Sequence, residues 1–250
     1  MAGKAWAALA VGSALIGSSA LADPAPTPPA TLSDYTALAR LPDWSGVWQM
    51  DWKYLGSRGE EKPSLTPSAA AALAQYNAAK AKGENQQTDG ANCVPPGMPQ
   101  IMRMPYPIEF VYSPGRVTIL AETYSQVRRV YTDGSPLPDD PDPAFNGSSV
   151  GHWEGDTLVV DTIGLNPMTS IIPGVHPTEK TRIRETYRLE KPDLLRVHTV
   201  ITDPDVFTRP LELTQAYVRE RGWRIREYVC QENNRDASDK FGRPSLDLRN

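Results

Sequence analysis

The segments that decide the fold are TRIRETYRLE (residues 181–190), LLRVHTVITDP (194–204), LELTQAYVRE (211–220) and WRIREYVCQE (223–232). Apolar and polar side chains alternate in each segment, which is the period of a strand with one buried face. The connections between them are Lys191-Pro192-Asp193, the corner Pro204–Pro210 and Glu220-Arg221-Gly222. Such short connections join strands that run antiparallel. We therefore expect four consecutive antiparallel strands at this end of the chain.

The preceding part of the chain repeats the pattern. Its strand-like segments are WSGVWQMDW (44–52), IEFVYS (108–113), RVTILAETYSQVRRVYTDG (116–134), SVGHW (149–153) and TLVVDTIG (157–164). In the first of them, Trp48, Met50 and Trp52 share one face. One segment is helical instead, because Thr66-Pro67 is a start signal and Gly83 a stop signal. About nine strands and one helix predict a mainly β protein, an antiparallel up-and-down barrel or half-barrel with one packed α-helix and long Pro-rich loops.

The first 22 residues, MAGKAWAALAVGSALIGSSALA, have the pattern of a secretory signal peptide. They contain one lysine, an apolar run and a small-x-small ending at Ala20-Leu21-Ala22. A transmembrane anchor is the alternative, but Gly and Ser interrupt the run and it is short for a span. We expect cleavage near Ala22 and a periplasmic or secreted protein. The mature chain then has a flexible leader at 23–41, a single β-barrel-like domain at 42–235 and a C-terminal tail at 236–250.

Composition limits the classes of partner. With 40% hydrophobic and 22% charged residues in 250, the chain is an ordinary globular protein and not an intrinsically disordered one. The net charge of -4 argues against a nucleic-acid partner. We expect no membrane span in the mature protein, since no later segment is long and apolar enough. The two cysteines, Cys93 and Cys230, predict a disulfide in an exported chain, with two separate buried thiols as the alternative.

Several motifs resemble those of a set of exported bacterial proteins to which no chemistry is assigned. They are PDWSGVW (42–48), CVPPGMPQIM (93–102), PYPIEF (105–110), RRVYTDG (128–134), SVGHWEGDTLVVDT (149–162), the Glu179–Glu185 segment and YVCQENN (228–234). The most specific part is WEGDTLVVDT. The three-residue motif Gly46-x-Trp48 also resembles the opening motif of lipocalin-type barrels. The resemblance implies export and a lipocalin-like barrel, and it implies no activity. Where the relatives often carry a histidine, this chain has Arg182.

Two carboxylates alternate with apolar side chains on separate predicted strands. Glu185 lies on the apolar face of its segment, and Glu227 does the same in the last segment. A carboxyl group among apolar neighbours holds its proton more readily, as a general acid or base requires. We expect both to face one shared cavity, with Arg129 or His176 near its mouth. A structural ion pair with an inward arginine such as Arg129 is the alternative.

Aromatic and histidine side chains are the candidates for a ligand site inside the barrel. The set is Trp48, Tyr106, Tyr131, His152, Trp153, Tyr187 and Trp223. Such side chains line the cavity of a small barrel that holds an apolar molecule, and filling the core is their alternative role. Asp139, Asp140 and Asp142 predict a solvated acidic loop. No metal and no cofactor are expected, because short metal-ligand spacings and cofactor-binding motifs are missing.

Three functions follow from these patterns. The first is an exported barrel that binds a small apolar or aromatic molecule in its interior. The second is a cofactor-independent lyase, isomerase or hydratase that uses inward-facing carboxylates for acid/base chemistry. The third is an envelope interaction protein, which the Pro-rich segments favour. An apolar cavity with both carboxylates would favour the enzyme, a cavity without ionisable groups would favour binding, and a filled barrel would favour interaction.

Overall fold

Nine strands close into a barrel in the part of the chain that the computed structural model describes, residues 34–51, 53, 62–84 and 93–230. They are β1 (Val47–Met50), β2 (Ile108–Ser113), β3 (Arg116–Ala121), β4 (Gln126–Tyr131), β5 (Ser148–Glu154), β6 (Thr157–Ile163), β7 (Arg182–Lys191), β8 (Leu194–Thr202) and β9 (Leu211–Glu220). Each strand pairs with the next, and β9 pairs with β1. The predicted mainly β barrel is confirmed.

One seam of the barrel departs from the antiparallel order. Strands β4 and β5 run parallel, with Val130 opposite Ser149 and Tyr131 opposite Val150. Parallel neighbours need a long crossover connection, and residues 132–147 supply it. The prediction of a wholly antiparallel, up-and-down barrel is therefore wrong at this seam. We call residues 132–147 the crossover loop.

The long segment RVTILAETYSQVRRVYTDG forms two strands. A 3-10 turn at Thr123–Ser125 separates β3 from β4, and Tyr124 and Ser125 have positive φ angles of 55° and 47°. Antiparallel pairing aligns the two strands, with Arg116 opposite Tyr131 and Ala121 opposite Gln126. The turn reverses the chain between the two strands.

The segment after β9 is not a strand. Residues 223–229 have no regular secondary structure, although their side chains alternate as in a strand. Strand β1 already occupies the free edge of β9, with Val47 opposite Glu220 and Met50 opposite Tyr217. Closure of the barrel leaves no partner for a further strand there. The prediction of a strand at 223–232 is therefore wrong over 223–229, and residues 231–232 lie outside the described part of the chain.

Residues 222–230, which we call the strap, are fastened to the barrel by covalent and polar contacts. The predicted disulfide joins Cys93 to Cys230, with 5.8 Å between their Cα atoms. The Ser125 hydroxyl donates to the Tyr228 carbonyl at 3.0 Å. The Arg226 amide donates to the Glu122 carboxylate at 2.9 Å. The strap therefore has a defined position without belonging to the sheet.

Large side chains fill the interior of the barrel. Fully buried ones are Trp44, Trp48, Tyr187, Tyr217, Met98, Ile108, Ile119, Leu158, Ile171, Ile183, Leu195 and Ile201. Trp44 packs edge-on against Phe110 at 5.1 Å between ring centroids and lies 5.2 Å from the Trp153 ring. Trp48 and Met50 face inward as predicted, and Trp52 lies outside the described residues. Burial of this aromatic and aliphatic surface drives the closure of the barrel.

Helix α1 (Tyr35–Leu38) lies in the segment predicted as a flexible leader. The Asp34 side chain caps it by accepting a hydrogen bond from the Ala37 amide at 2.8 Å. The predicted signal peptide at 1–22, the rest of the leader at 23–33 and the tail at 236–250 lie outside the described residues.

Helix α2 (Pro67–Ala81) is the predicted helix. Thr66 caps it by accepting from the Ala69 amide at 3.3 Å, and Gly83 follows its end with a φ of 74°. Ala69 is buried and Leu73 packs on the core, while most of the helix is exposed. No helix among the described residues is long and apolar enough to cross a membrane.

Candidate functional site: a cleft on the outer wall

A cleft of about 640 Å³ lies on the outer wall of the barrel, where the crossover loop passes over β4 and β5. We call it the outer cleft. Its lining residues are Val127, Arg129, Tyr131, Asp133, Ser135, Pro136, Pro138, Ala144, Phe145, Asn146, Gly147, Ser148, Ser149 and Val150. The volume falls within the range of small-molecule sites.

Strand β4 forms the floor of the outer cleft. Its side chains alternate, so Val127, Arg129 and Tyr131 face outward while Arg128 and Val130 are buried. Val127 is 38% exposed and Tyr131 45% exposed. The Arg129 side chain forms no ion pair or hydrogen bond with any described residue. The floor is therefore a stripe of two apolar groups with a free cation between them.

The crossover loop forms the opposite wall. Its end is fixed by the Phe145 carbonyl, which accepts a hydrogen bond from the Met98 amide at 2.8 Å. Gly147 has a φ of 63°, and a Cβ atom there would lie 2.5 Å from the Ile163 carbonyl oxygen. Only glycine permits this close approach of the loop to β6. The Asn146 side chain also donates to the Val127 carbonyl on β4 at 3.5 Å, so backbone contacts and one side-chain hydrogen bond hold the wall.

Behind the floor, a polar network crosses the barrel interior from β4 to β7. The Arg128 guanidinium donates to both carboxylate oxygens of Glu185, including Oε1 at 3.1 Å, and to the Thr162 hydroxyl at 2.9 Å. The hydroxyl groups of Ser149 and Thr162 lie 2.8 Å apart. The Tyr187 hydroxyl donates to Glu185 at 2.6 Å. The network links four neighbouring strands, including the two at the parallel seam.

The electrostatics of this network keep Arg128 charged and Tyr187 protonated. Burial opposes the charge of Arg128, but the adjacent Glu185 carboxylate outweighs it and raises the pKa of Arg128 above its ordinary value. Burial, and then the charge of Glu185, raises the pKa of Tyr187 well above its ordinary value. Neither group is poised to exchange a proton near neutral pH. The arrangement has the character of a buried structural ion pair.

The predicted pair of catalytic carboxylates does not assemble. Glu185 is buried, at 1% exposure, but Glu227 is an exposed residue of the strap. The prediction that the two share a cavity is wrong, because it assumed that residues 223–232 form a strand. His176 is an exposed loop residue whose Nδ1 lies 2.8 Å from the Thr169 carbonyl oxygen.

The arginine that faces inward is Arg128 and not the predicted Arg129. Arg129 faces the outer cleft, and Arg128 is the partner of Glu185. In QVRRVY (126–131) the residues Val127 and Tyr131 favour an inward face that includes Arg129, but the structure uses the other face. The inward position of Glu185 on β7 was the sequence signal that an inward cation was needed, and Arg128 is that cation.

The predicted ligand-binding residues are distributed among four places. Trp48 and Tyr187 are fully buried and Trp153 packs on the core, so these three fill the barrel. Tyr131 lines the outer cleft, while Trp223 belongs to the strap and lines a second cleft together with Tyr106. His152 is half-exposed, with Nε2 2.9 Å from the Glu154 carboxylate. The structure therefore does not bring the predicted set together inside the barrel.

Sequence reasoning missed Arg128, Thr162 and Ser149 in the network and Phe145 in the cleft. Their roles depend on the parallel seam, which no local pattern indicates. Among the described residues, no group of three or more His, Cys, Asp or Glu side chains is arranged to hold a metal ion. In comparisons with known proteins, no family model matches the chain and no curated protein gives a significant match.

Proposed function

We propose that the protein is an exported barrel that binds a small apolar or aromatic molecule carrying one acidic group. The site is the outer cleft and not the filled interior. The observation that carries the proposal is the stripe of Val127, Arg129 and Tyr131 on the floor of a cleft of ligand size. The Arg129 side chain forms no ion pair or hydrogen bond with a described residue.

The chemistry of the lining favours this class of ligand. Val127, Tyr131 and Phe145 offer apolar and aromatic surface, and two prolines of the crossover loop add flat apolar surface. Contiguous exposed apolar side chains on a folded surface mark a binding site. The guanidinium of Arg129 matches the two oxygens of a carboxylate or the oxygens of a sulfonate. A flat molecule with an acidic group therefore satisfies both the apolar and the charged parts of the floor.

Export is supported by two features. The signal-peptide pattern at 1–22 has the order of a secretory leader, and the Cys93–Cys230 disulfide is stable in an oxidising compartment. The likeness to lipocalin-type barrels and to exported proteins with a WEGDTLVVDT motif agrees with this location. We infer a periplasmic or secreted protein.

Binding of 2-naphthoate, followed by isothermal calorimetry, tests the proposal. We expect 2-naphthoate to bind more tightly than 2-naphthalenemethanol, which has the same ring system without the charge. Arg129→Gln should weaken 2-naphthoate binding by about tenfold, the value of one charge-assisted hydrogen bond, and leave the alcohol unaffected. Tyr131→Ala should weaken both.

The matched control is Arg188→Gln, because Arg188 is an exposed arginine on β7, away from the cleft. It should bind 2-naphthoate as the unaltered protein does. Equal loss of affinity in the two arginine variants, or equal affinity for the acid and the alcohol, would contradict the proposal. If 2-naphthoate binds as expected, mass spectrometry of molecules that co-purify from the native host identifies the natural ligand.

A further inference from the structure

A second cleft, of about 910 Å³, lies between the strap and the start of β2. We call it the strap groove. Its lining residues are Gln49, Pro105, Tyr106, Pro107, Glu122, Gly222, Trp223, Arg224, Ile225 and Arg226. It shares no lining residue with the outer cleft. The strap groove is therefore a different site from the outer cleft.

The strap groove combines exposed aromatic surface with free positive charge. Trp223 is 54% exposed. Arg224 and Arg226 are exposed, and neither guanidinium has an ion-pair or hydrogen-bond partner among the residues that the structure describes. Tyr106 is held in place by edge-on packing against Tyr228 at 5.8 Å. Tryptophan, tyrosine and arginine are the residues that dominate the binding energy of protein interfaces.

The chain itself carries a segment of complementary chemistry. The crossover loop contains SPLPDDPDPAF (135–145), with three exposed carboxylates at Asp139, Asp140 and Asp142. None of the three forms an ion pair or hydrogen bond with a described residue. No ion pair joins this segment to Arg224 or Arg226 within the described part of one chain. The acidic segment and the basic groove are therefore both unsatisfied in the single copy.

We propose that the strap groove binds the acidic, proline-rich segment 135–145 of a second copy of this chain. Proline rings pack on exposed tryptophan and tyrosine faces, and proline-rich segments are stiff, so little conformational entropy is lost on binding. The aspartates of the segment face Arg224 and Arg226, which gives the contact its specificity. Because groove and segment are different patches, each copy presents one of each to its neighbours.

Sedimentation velocity of the full mature protein tests the proposal. We expect species larger than a monomer whose fraction rises with protein concentration. Raising NaCl from about 0.05 to about 0.5 M should reduce that fraction, because exposed charge pairs are screened. The double variant Arg224→Glu/Arg226→Glu should be monomeric. The matched control Arg182→Glu/Arg188→Glu, two exposed arginines on β7, should associate as the unaltered chain does.

The decisive test reverses the charges of the segment in one variant and those of the groove in another. Asp139→Arg/Asp140→Arg alone should be monomeric, and an equimolar mixture of this variant with Arg224→Glu/Arg226→Glu should associate again. These aspartates do not line the outer cleft, so both variants should still bind 2-naphthoate. Loss of association together with loss of 2-naphthoate binding would indicate misfolding of the crossover loop and would contradict this design of the contact.

A synthetic peptide, SPLPDDPDPAF, tests the segment by itself. It should quench or shift the fluorescence of Trp223, and Asn at its three Asp positions should weaken binding by about tenfold. A chain that is monomeric at all concentrations would overturn the proposal, even if the peptide bound, because the groove would then serve a different protein. Association that is unaffected by the arginine and aspartate variants would overturn it as well.

Discussion

Arg128 is a buried cation at one of the two seams of the barrel that have only two paired positions. Strands β4 and β5 share two paired positions, so few backbone hydrogen bonds hold them together. The guanidinium reaches from β4 to Thr162 on β6 and Glu185 on β7. It also donates to the Ser149 hydroxyl on β5 at 3.3 Å. The side-chain network thus supplies cross-strand bonds where the sheet has few, which gives the ion pair a structural role.

Removal of one partner should destabilise the barrel strongly. We expect Glu185→Gln to lower the free energy of unfolding by about 3–5 kcal/mol, because it leaves the Arg128 charge buried and unpaired. Arg128→Met should cost a similar amount. The double variant Arg128→Met/Glu185→Leu should cost less than either single one, since no unpaired charge remains.

Urea denaturation followed by circular dichroism measures these differences. Hydrogen exchange of residues 128–131 and 148–151 should rise in the single variants, since these residues form the seam. Additive losses in the double variant would contradict the explanation, because independent sites add and coupled sites do not.

The same residues explain what the sequence could and could not predict here. The inward position of Glu185 was predictable, because its strand alternates unambiguously. The inward position of Arg128 was not, because QVRRVY places apolar residues on both faces. The choice between the faces is made by a carboxylate 57 residues later in the chain, which no local pattern contains.

At the scale of elements, the segment 93–103 approaches the crossover loop most closely at Gly97. Gly97 has a φ of 60°, and a Cβ atom there would lie 2.3 Å from the Phe145 carbonyl oxygen and 2.4 Å from the Thr169 methyl carbon. Both neighbours belong to long loops that pack on the barrel. Gly97 is therefore the point at which three irregular segments meet.

Gly97→Ala should destabilise the protein by about 3 kcal/mol or more, because the new methyl group meets backbone that cannot move independently. Gly155→Ala is the matched control. Gly155 has the same φ of 60°, and nothing lies within 4 Å of a Cβ atom there. It should cost about 1 kcal/mol, the backbone strain alone. Thermal unfolding of the two variants measures both effects, and equal losses would show that the close contact at Gly97 carries no energy.

Elements with complete local signals were predictable, and those that depend on closure were not. Helix α2 has a capping threonine, a first-turn proline and a terminal glycine, and its boundaries follow from them. The strap has the alternation of a strand at Trp223, Ile225 and Glu227 but no partner. Its structure depends on which segment pairs with the free edge of β9. Strand β1, about 170 residues earlier in the chain, takes this edge, and the sequence of the strap alone does not indicate that.

At the scale of the whole molecule, the barrel is closed around buried hydroxyl groups. Tyr217 donates to the Met102 carbonyl, Tyr187 to Glu185, and Tyr112 to the Pro42 carbonyl at 3.1 Å. Burial raises the pKa of all three phenols above the ordinary value. The first and third bonds connect β9 and β2 to irregular segments outside the sheet, and the second lies within β7. The folded state therefore requires its interior tyrosines to remain protonated.

This requirement sets the alkaline limit of stability. Below about pH 9 the three tyrosines are protonated in both the folded and the unfolded chain, and they cause no pH dependence. Above about pH 10 the unfolded chain loses these protons while the barrel retains them, so the unfolded state gains stability. Each fully buried tyrosine should then lower the free energy of unfolding by about 1.4 kcal/mol per pH unit, up to its raised pKa.

Urea denaturation at a series of pH values should give a plateau followed by this decline, and tyrosinate absorbance should appear together with unfolding. Tyr217→Phe should reduce the slope above pH 10 by about 1.4 kcal/mol per unit and leave the slope below pH 9 unchanged, whatever it costs in absolute stability. Tyrosinate absorbance from all the tyrosines before the loss of the circular dichroism signal would mean that water reaches the interior of the folded barrel, and the closed, filled core would then be an incorrect description of the molecule in solution.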